Sequence, residues 1–546
     1  MAGSSKQYDY IIVGAGSAGC VLANRLSEDG DVRVLVLEAG GRDFDPLIQV
    51  PWGVGKLWAS RRYDWGYDTE PEPNLDGRTV EVARGKVLGG SSSINAMGHA
   101  RGHRGDYDRW AQMGLGGWSY ADVLPYFKRS ESWQGGEDRF RGGDGPLAVT
   151  SVKATDGLFD AWADAAIAAG YPVIDDYNAA DQEGLAQIQS TIEGGRRCSA
   201  ARAYLHPAMK RSNLTVQTRV LVTRVVFNGG RATGVEYRKG GDTHRAHAGR
   251  EVILSAGAIN TPQILMLSGI GGAEELSSHG ITVLHDLAGV GRNLQDHISV
   301  VVHYRRPTPG PYRRQLGWDR LAFDVARAYL TGTGPATRLP AGLIGFLRSR
   351  PELEMPDIHF LFRALPPHAR PWWPVFEEPW EDGFLCRPVL LRPESRGAIH
   401  LASADPGTPV RIQQNFLATE GDIRTIRAGV RMGRDIARQA PLDCYRGAEI
   451  GPGDGVESDG DIDAYVRANA LTAHHPSCTC PMGTGDEAVV DGELKVRGVD
   501  ALRVVDASVM PDMVGGALNA PVIMIAEKAA DMIRGRAPLA PAELEL

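Results

Sequence analysis

Two groups of residues in this chain have types and spacing suited to chemistry. His474-His475, just before Pro476, offers imidazoles, and an unperturbed pKa of about 6.5 lets the neutral ring accept a proton near neutral pH. Taken alone, such a pair is as a rule structural or exposed. The second group is Gly14-Ala15-Gly16-Ser17-Ala18-Gly19, with Glu38 nineteen residues beyond Gly19. Gly14 permits a tight turn, Gly16 lets backbone approach a pyrophosphate, and Gly19 lets a helix pack closely on a strand. Phosphates then sit at the positive end of the helix, and Glu38 can accept hydrogen bonds from ribose hydroxyls. A carboxylate there repels a 2′-phosphate, so FAD or NAD fits better than NADP. Cys478 and Cys480, one residue apart, are too close for a CxxC zinc knuckle. They read as small packing residues, and no metal is expected.

The elements around the glycines give the motif its weight. In a chain with 67 glycines a lone GxGxxG is a weak signal. Here the apolar run from Tyr8 to Val13 precedes it, a helical stretch runs from Cys20 to Ser27, and a second strand runs from Val32 to Leu37 and ends at Glu38. That is a complete βαβ nucleotide cradle. The unit alone does not separate FAD from NAD.

The whole chain is consistent with an enzyme built around that cradle. Its 546 residues exceed the size at which single cores stop growing, so two domains or more are expected. The balance of 59 basic and 67 acidic residues, with no long basic run, argues against nucleic acid as a partner. No segment has the roughly 18 uninterrupted apolar residues of a membrane span, and the first residues, Met1 to Lys6, lack the apolar stretch of a secretory signal. A cytoplasmic protein is expected, and six cysteines in so long a chain agree with a reducing compartment. Up to Asp296-His297 apolar runs alternate with glycine turns, and from there to about Ala440 the chain is richer in proline, arginine and tryptophan. It closes on a helix, Pro521 to Arg534, with apolar residues at Val522, Ile525, Ala526, Ala529 and Ile533.

Four further segments carry a resemblance. Gly85-Lys86-Val87-Leu88-Gly89-Gly90-Ser91-Ser92-Ser93-Ile94-Asn95-Ala96-Met97, the run from Gly257 to Gly271, His475-Pro476-Ser477-Cys478-Thr479-Cys480-Pro481-Met482-Gly483 and Asn519-Ala520-Pro521 together resemble the glucose-methanol-choline (GMC) oxidoreductases, in that family's order. The resemblance implies an α/β fold, with a Rossmann-like FAD-binding domain and an inserted substrate-binding domain containing an antiparallel sheet. The segments expected are 6–297 and 441–536 for the FAD-binding domain and 298–440 for substrate. It implies FAD rather than NAD, and oxidation of an alcohol by hydride transfer to flavin N5, with oxygen or another acceptor reoxidising the flavin. Around FAD it places Gly14, Gly16, Ser17, Ala18, Gly19, Glu38, Ala39, Val87, Gly90, Asn95, Ala96, Met97, Gly98, Val222, Asp506, Ala507 and Asn519. Ile94 stands where some relatives carry a histidine bound covalently to FAD, so the flavin is expected to be non-covalent.

The same resemblance makes His475 the candidate base, with His474 facing elsewhere because neighbouring side chains in extended backbone point opposite ways. Asn519 matches a position occupied by a second histidine or an asparagine, where its amide can hold the alcohol oxygen. Read on its own, Asn519 fits equally a cap for the following helix. His99, where many relatives have an aromatic residue, fits either a pocket wall or a packed, hydrogen-bonded histidine. Trp372, Trp373 and Trp380 lie in one proline-framed stretch. If that loop lines the cavity, an aromatic or heteroaromatic primary alcohol, of the pyridoxine or hydroxymethyl-arene type, is the first choice; if it packs on the surface, it says nothing of substrate. Choline, other aliphatic alcohols and the flavin-containing hydroxynitrile lyases are the alternatives.

Overall fold

The computed structural model describes residues 7–151 and 154–544. Residues 1–6, which include the expected start of the first segment, lie outside them. Strand Gln7–Val13, helix Ser17–Leu26 and strand Val34–Glu38 form the anticipated βαβ unit. The helix begins three residues before its apolar run, because Gly16, in extended conformation, serves as N-cap and Ser17 to Gly19 wind the first turn. Every residue of Val34–Glu38 is buried, as a parallel strand covered on both faces requires.

Four parallel neighbours make the centre of the main sheet. Leu214–Thr218 pairs with Val34–Glu38, which pairs with Gln7–Val13, which pairs with Asp242–Leu254. The long strand Asp242–Leu254 does two jobs. Its last residues, Val252 to Leu254, also pair in parallel with Leu502–Val504, while its first half forms antiparallel pairs with Arg231–Lys239, followed outward by Leu221–Asn228. The C-terminal segment therefore enters the same sheet as the N-terminal cradle. The last helix, Asn519–Ile533, starts slightly before its expected range and lies against Ser17–Leu26. The fully buried Glu527 side chain clamps the two helices by an ion pair to Arg25 at 2.9 Å.

A second sheet, antiparallel throughout, has the order Glu449–Gly451, Val302–Arg305, Gly383–Leu390, Ile358–Arg363, Ala341–Leu347, Gly184–Gln187. It draws strands from before 298 and after 440, so this sheet does not coincide with the 298–440 segment. Alternation sets its two faces. Ile358, Phe360 and Phe362 join a core with Ile426, Val430 and Ile436 of the amphipathic helix Glu420–Ala437. His359, Leu361 and Arg363, between them, line a cavity on the other side. No helix among the described residues is long and apolar enough to cross a membrane.

Candidate active site

A cavity of about 1140 Å³ runs from the glycine cradle to the antiparallel sheet. Among the residues anticipated around FAD, Gly14, Gly16, Ser17, Ala18, Glu38, Ala39, Gly90, Asn95, Ala96, Met97, Gly98, Val222, Asp506, Ala507 and Asn519 line it, and so does His475. Gly19 and Val87 do not. A Cβ on Gly19 would lie 1.9 Å from the carbonyl oxygen of Gly14, which is the close helix–strand packing its place in the motif demands. Val87 is fully buried among Ile48, Leu57 and Ile94.

The cradle fits a dinucleotide. Gly14 has φ +96°, and a Cβ there would meet Ser255 O at 2.5 Å. A Cβ on Gly16 would instead have nothing closer than 3.9 Å, so its face opens to the cavity at the helix N-terminus, where a pyrophosphate would be held. Gly90 closes over it, a Cβ there lying 2.8 Å from Gly16 Cα. Glu38 accepts the Ala15 N–H at 2.8 Å and the Gly40 N–H at 2.7 Å, one on each carboxylate oxygen. Each oxygen keeps a lone pair for a ribose hydroxyl. Val222 follows Val220, whose N–H donates to the Glu38 carbonyl at 2.9 Å, so it sits at the same end.

Two loops shape the middle of the cavity. Asn95 Oδ1 accepts from Met97 N at 3.0 Å and from Arg197 at 2.8 Å. Arg197 also holds the Ile48, Ser92 and Asn95 carbonyls, and burial lowers its pKa to about 9. Asp506, raised in pKa by burial, accepts from Gly257 N, Thr261 Oγ1 and Ser508, which fixes the turn carrying Ala507.

At the far end the hydrogen bonds assign a tautomer to His475. His297 Nε2 lies 3.0 Å from the Leu391 carbonyl, which only accepts, so that nitrogen carries the proton. His297 Nδ1, left as an acceptor, lies 2.9 Å from His475 Nδ1, which must then be the donor. His475 Nε2 is left as a bare lone pair with no protein partner, in a ring that lines the cavity. Desolvation, with His297, Arg84, His359 and His474 around it, holds the His475 pKa well below the ordinary value. Asp296, whose own pKa burial raises to about 6, anchors the turn by accepting the His475 N–H at 2.8 Å and the Thr472 hydroxyl.

Asn519 does not cap its helix: Leu518 is the N-cap and makes no side-chain bond. Its Oδ1 accepts the Ser17 hydroxyl at 2.7 Å, which leaves both amide hydrogens for a ligand oxygen. His474 departs from expectation. Its backbone is left-handed, φ 63°, so the extended-chain argument does not apply, and it too lines the cavity while its Nδ1 accepts the Ala83 N–H at 3.3 Å. His99 is 3 % exposed and bonded to Glu131 at 3.2 Å, a packed histidine that reaches the cavity wall.

The tryptophan-rich loop lies off the cavity. Trp372 and Trp380 donate to the carbonyls of Arg313 and Arg370, Trp373 is 54 % exposed, and only Arg370 and Pro371 of that stretch reach the lining. The tryptophans that do line it are Trp52, Trp58, Trp65 and Trp318, and Phe362 joins them. Sequence reasoning also missed His297, Arg197, His359, Arg363 and Arg387. Arg363 at the end of an apolar strand was the one visible signal.

Known proteins resemble the chain over nearly its whole length. The GMC oxidoreductase family models match residues 8–299 and 393–526. The oxygen-dependent choline dehydrogenase of Pseudomonas fluorescens (strain Pf0-1) is 47% identical over 546 residues, 98% of this chain and 95% of that protein. The mitochondrial choline dehydrogenase of Homo sapiens is 46% identical over 549 residues, 98% and 91%. Among solved structures, pyridoxine 4-oxidase from Mesorbium loti superposes with a TM-score of 0.87 at 31% identity, covering 97% of this chain and all of that one.

Proposed function

The chain belongs to the GMC oxidoreductase family, and from that premise we propose that it binds FAD without a covalent link and oxidises a small aliphatic alcohol to the aldehyde. The observation that carries the reading is that one cavity is lined both by His475, whose Nε2 has no protein partner, and by Asn519, whose amide oxygen is already engaged by Ser17. His475 Nε2 takes the hydroxyl proton. The Asn519 N–H groups hold the alcohol oxygen and stabilise the negative charge that grows on it. FAD, when bound, supplies the hydride acceptor at flavin N5.

Several features support non-covalent binding and an aliphatic substrate. Ile94 has no nucleophile and is buried. The first choice from sequence, an aromatic or heteroaromatic alcohol, rests on Trp372, Trp373 and Trp380, none of which lines the cavity, and the relatives at 46–47% identity are named for choline, one of the alternatives. His475 stays neutral well below pH 6.5, so it is available as a base across the ordinary range.

The test is anaerobic mixing of the yellow holoenzyme with a panel of primary alcohols, followed by air. Bleaching of the oxidised flavin band by an aliphatic alcohol is the expected result, and its return in air reports whether oxygen is the acceptor. A flavin that no alcohol bleaches would sink the oxidoreductase reading in favour of lyase chemistry. Flavin retained on the denatured polypeptide would sink the non-covalent one.

A further inference from the structure

The antiparallel-sheet wall of the cavity carries positive charge and no negative charge. Between Leu316 and Pro406 the charged lining residues are Arg363, Arg370 and Arg387. The lining carboxylates, Glu38, Glu81 and Asp506, all belong to other walls. Arg370 pairs with Glu377 at 3.4 Å. Arg387 donates to Ser299 Oγ at 2.8 Å and to the Thr472 carbonyl at 2.9 Å. Arg363 is different. Its guanidinium makes no hydrogen bond or ion pair with any described residue, and it shares the cavity-facing row of its strand with His359, a neighbour of the base.

An unpaired guanidinium away from bulk water is costly unless something supplies the counter-charge. Its planar fork matches a carboxylate with two parallel N–H···O bonds. Resting on the alcohol-oxidising role of His475 and Asn519, we propose that the substrate is an aliphatic alcohol carrying a carboxylate, with its hydroxyl at His475 and Asn519 and its carboxylate on Arg363. Arg363 alone on this wall has its whole fork unengaged, while Arg387 already donates to Ser299 and Thr472, so a single carboxylate is the group that fits, and the phosphate monoesters below test for a dianion. A quaternary ammonium placed on this wall would meet Arg363 and Arg387 and no carboxylate. The family role is unchanged; the charge of the preferred alcohol is the opposite of that of choline.

The experiment uses the FAD-loaded enzyme. Anaerobic flavin reduction is measured with ω-hydroxycarboxylates of increasing chain length, the matching neutral diols, their phosphate monoesters and choline. The best hydroxycarboxylate should exceed its diol by roughly 10- to 100-fold in reduction rate over dissociation constant, the scale of a charge-assisted hydrogen bond. Arg363→Ala should remove that advantage, the hydroxycarboxylate losing roughly 10- to 100-fold more than its diol, and Arg363→Lys should keep part of it. A second readout needs no turnover: titration with butyrate should perturb the flavin spectrum of the wild type and not of Arg363→Ala or Arg363→Gln. Choline, a diol or a phosphate ester at or above every hydroxycarboxylate overturns the proposal, as does an equal loss for all substrates in Arg363→Ala. Failure of every alcohol to bleach the flavin overturns the oxidoreductase reading instead, and the butyrate titration still reports on Arg363.

Discussion

Ser17 and Asn519, the first residues of two helices 502 positions apart, share a hydrogen bond of 2.7 Å. It joins the glycine cradle to the residue proposed to hold the alcohol oxygen. Both helix N-termini, each carrying partial positive charge, converge where a pyrophosphate and a developing alkoxide would lie.

Ser17→Ala should therefore act through Asn519. The variant should keep FAD yet slow flavin reduction by about tenfold, with Asn519→Ala slower still, by about 10² to 10³, the cost of one lost oxyanion donor. Stopped-flow reduction of the two single variants and the double variant checks it. Additive losses would show that the two residues act independently.

His475→Ala should leave FAD bound and slow reduction by about 10² to 10⁴. His297→Phe removes the acceptor that orients His475 Nδ1–H, so Nε2 no longer stays bare. Reduction should slow by at least about tenfold, on the lower end of the same scale. The rate–pH profile should change shape, since a merely structural His297 would scale it without moving it.

The buried histidines predict acid lability. Burial lowers His297 to about 4, and His359 and His474 to about 3, from an unfolded value of about 6.5. Their stabilising contribution is whole above pH 6.5 and is lost as pH falls toward the folded values, because the unfolded chain binds those protons first. For His297 alone the loss approaches on the order of 3 kcal/mol. Asp296, raised to about 6, works the other way and relieves a penalty as pH falls from about 6 toward its unfolded value. Asp506, also raised by burial, acts with Asp296, but the lowered His99, His103, His303 and His475 and the carboxylates held low at Asp106 and Glu131 add to the loss, so the balance falls toward lability in acid. Urea midpoints measured between pH 7.5 and 4.5 should fall steadily, and a flat profile would contradict the buried neutral set.

Glycine replacements should separate folding from cofactor binding. Gly14→Ala meets Ser255 O at 2.5 Å in a left-handed backbone and should lower yield and Tm of the apoprotein. Gly16→Ala meets nothing within 3.9 Å and should fold normally but lose FAD affinity. Apoprotein Tm and flavin content, read together, distinguish the two.

Trp373→Ala should change neither flavin content nor substrate preference, within about 0.5 kcal/mol, since the ring is half exposed and off the cavity. A selective loss for aromatic alcohols would restore the loop to the substrate site.

What could be read from sequence was what local residues determine. Gly14 to Glu38 formed one legible unit because strand, turn, helix and acid follow each other within the chain. His475 and Asn519 stand out in the sequence through their flanking prolines in motifs, and both line the cavity. His297 was visible only as a boundary, since its meaning comes from His475, 178 positions away. His474 misled because its left-handed backbone is set by the turn around it. Trp372 and Trp373 drew notice by composition, while the face a ring presents depends on neighbours such as Arg313 and Trp318. Gly184–Gln187 joined the antiparallel sheet through pairing with Ala341–Leu347, a contact no local pattern announces.

The bond between Ser17 and Asn519 also sets the order in which the cavity is completed as the chain is made. A ribosome delivers the cradle first and its partner last, with 502 positions between them. At about 5–20 residues per second that interval is on the order of a minute. From the synthesis of Leu254 until that of Leu502 the edge of Val252 to Leu254 lacks its neighbour, and the amide proposed to hold the alcohol oxygen is absent until Asn519 is made. On the proposed chemistry, a nascent chain cannot turn over before Asn519–Ile533 has packed on Ser17–Leu26.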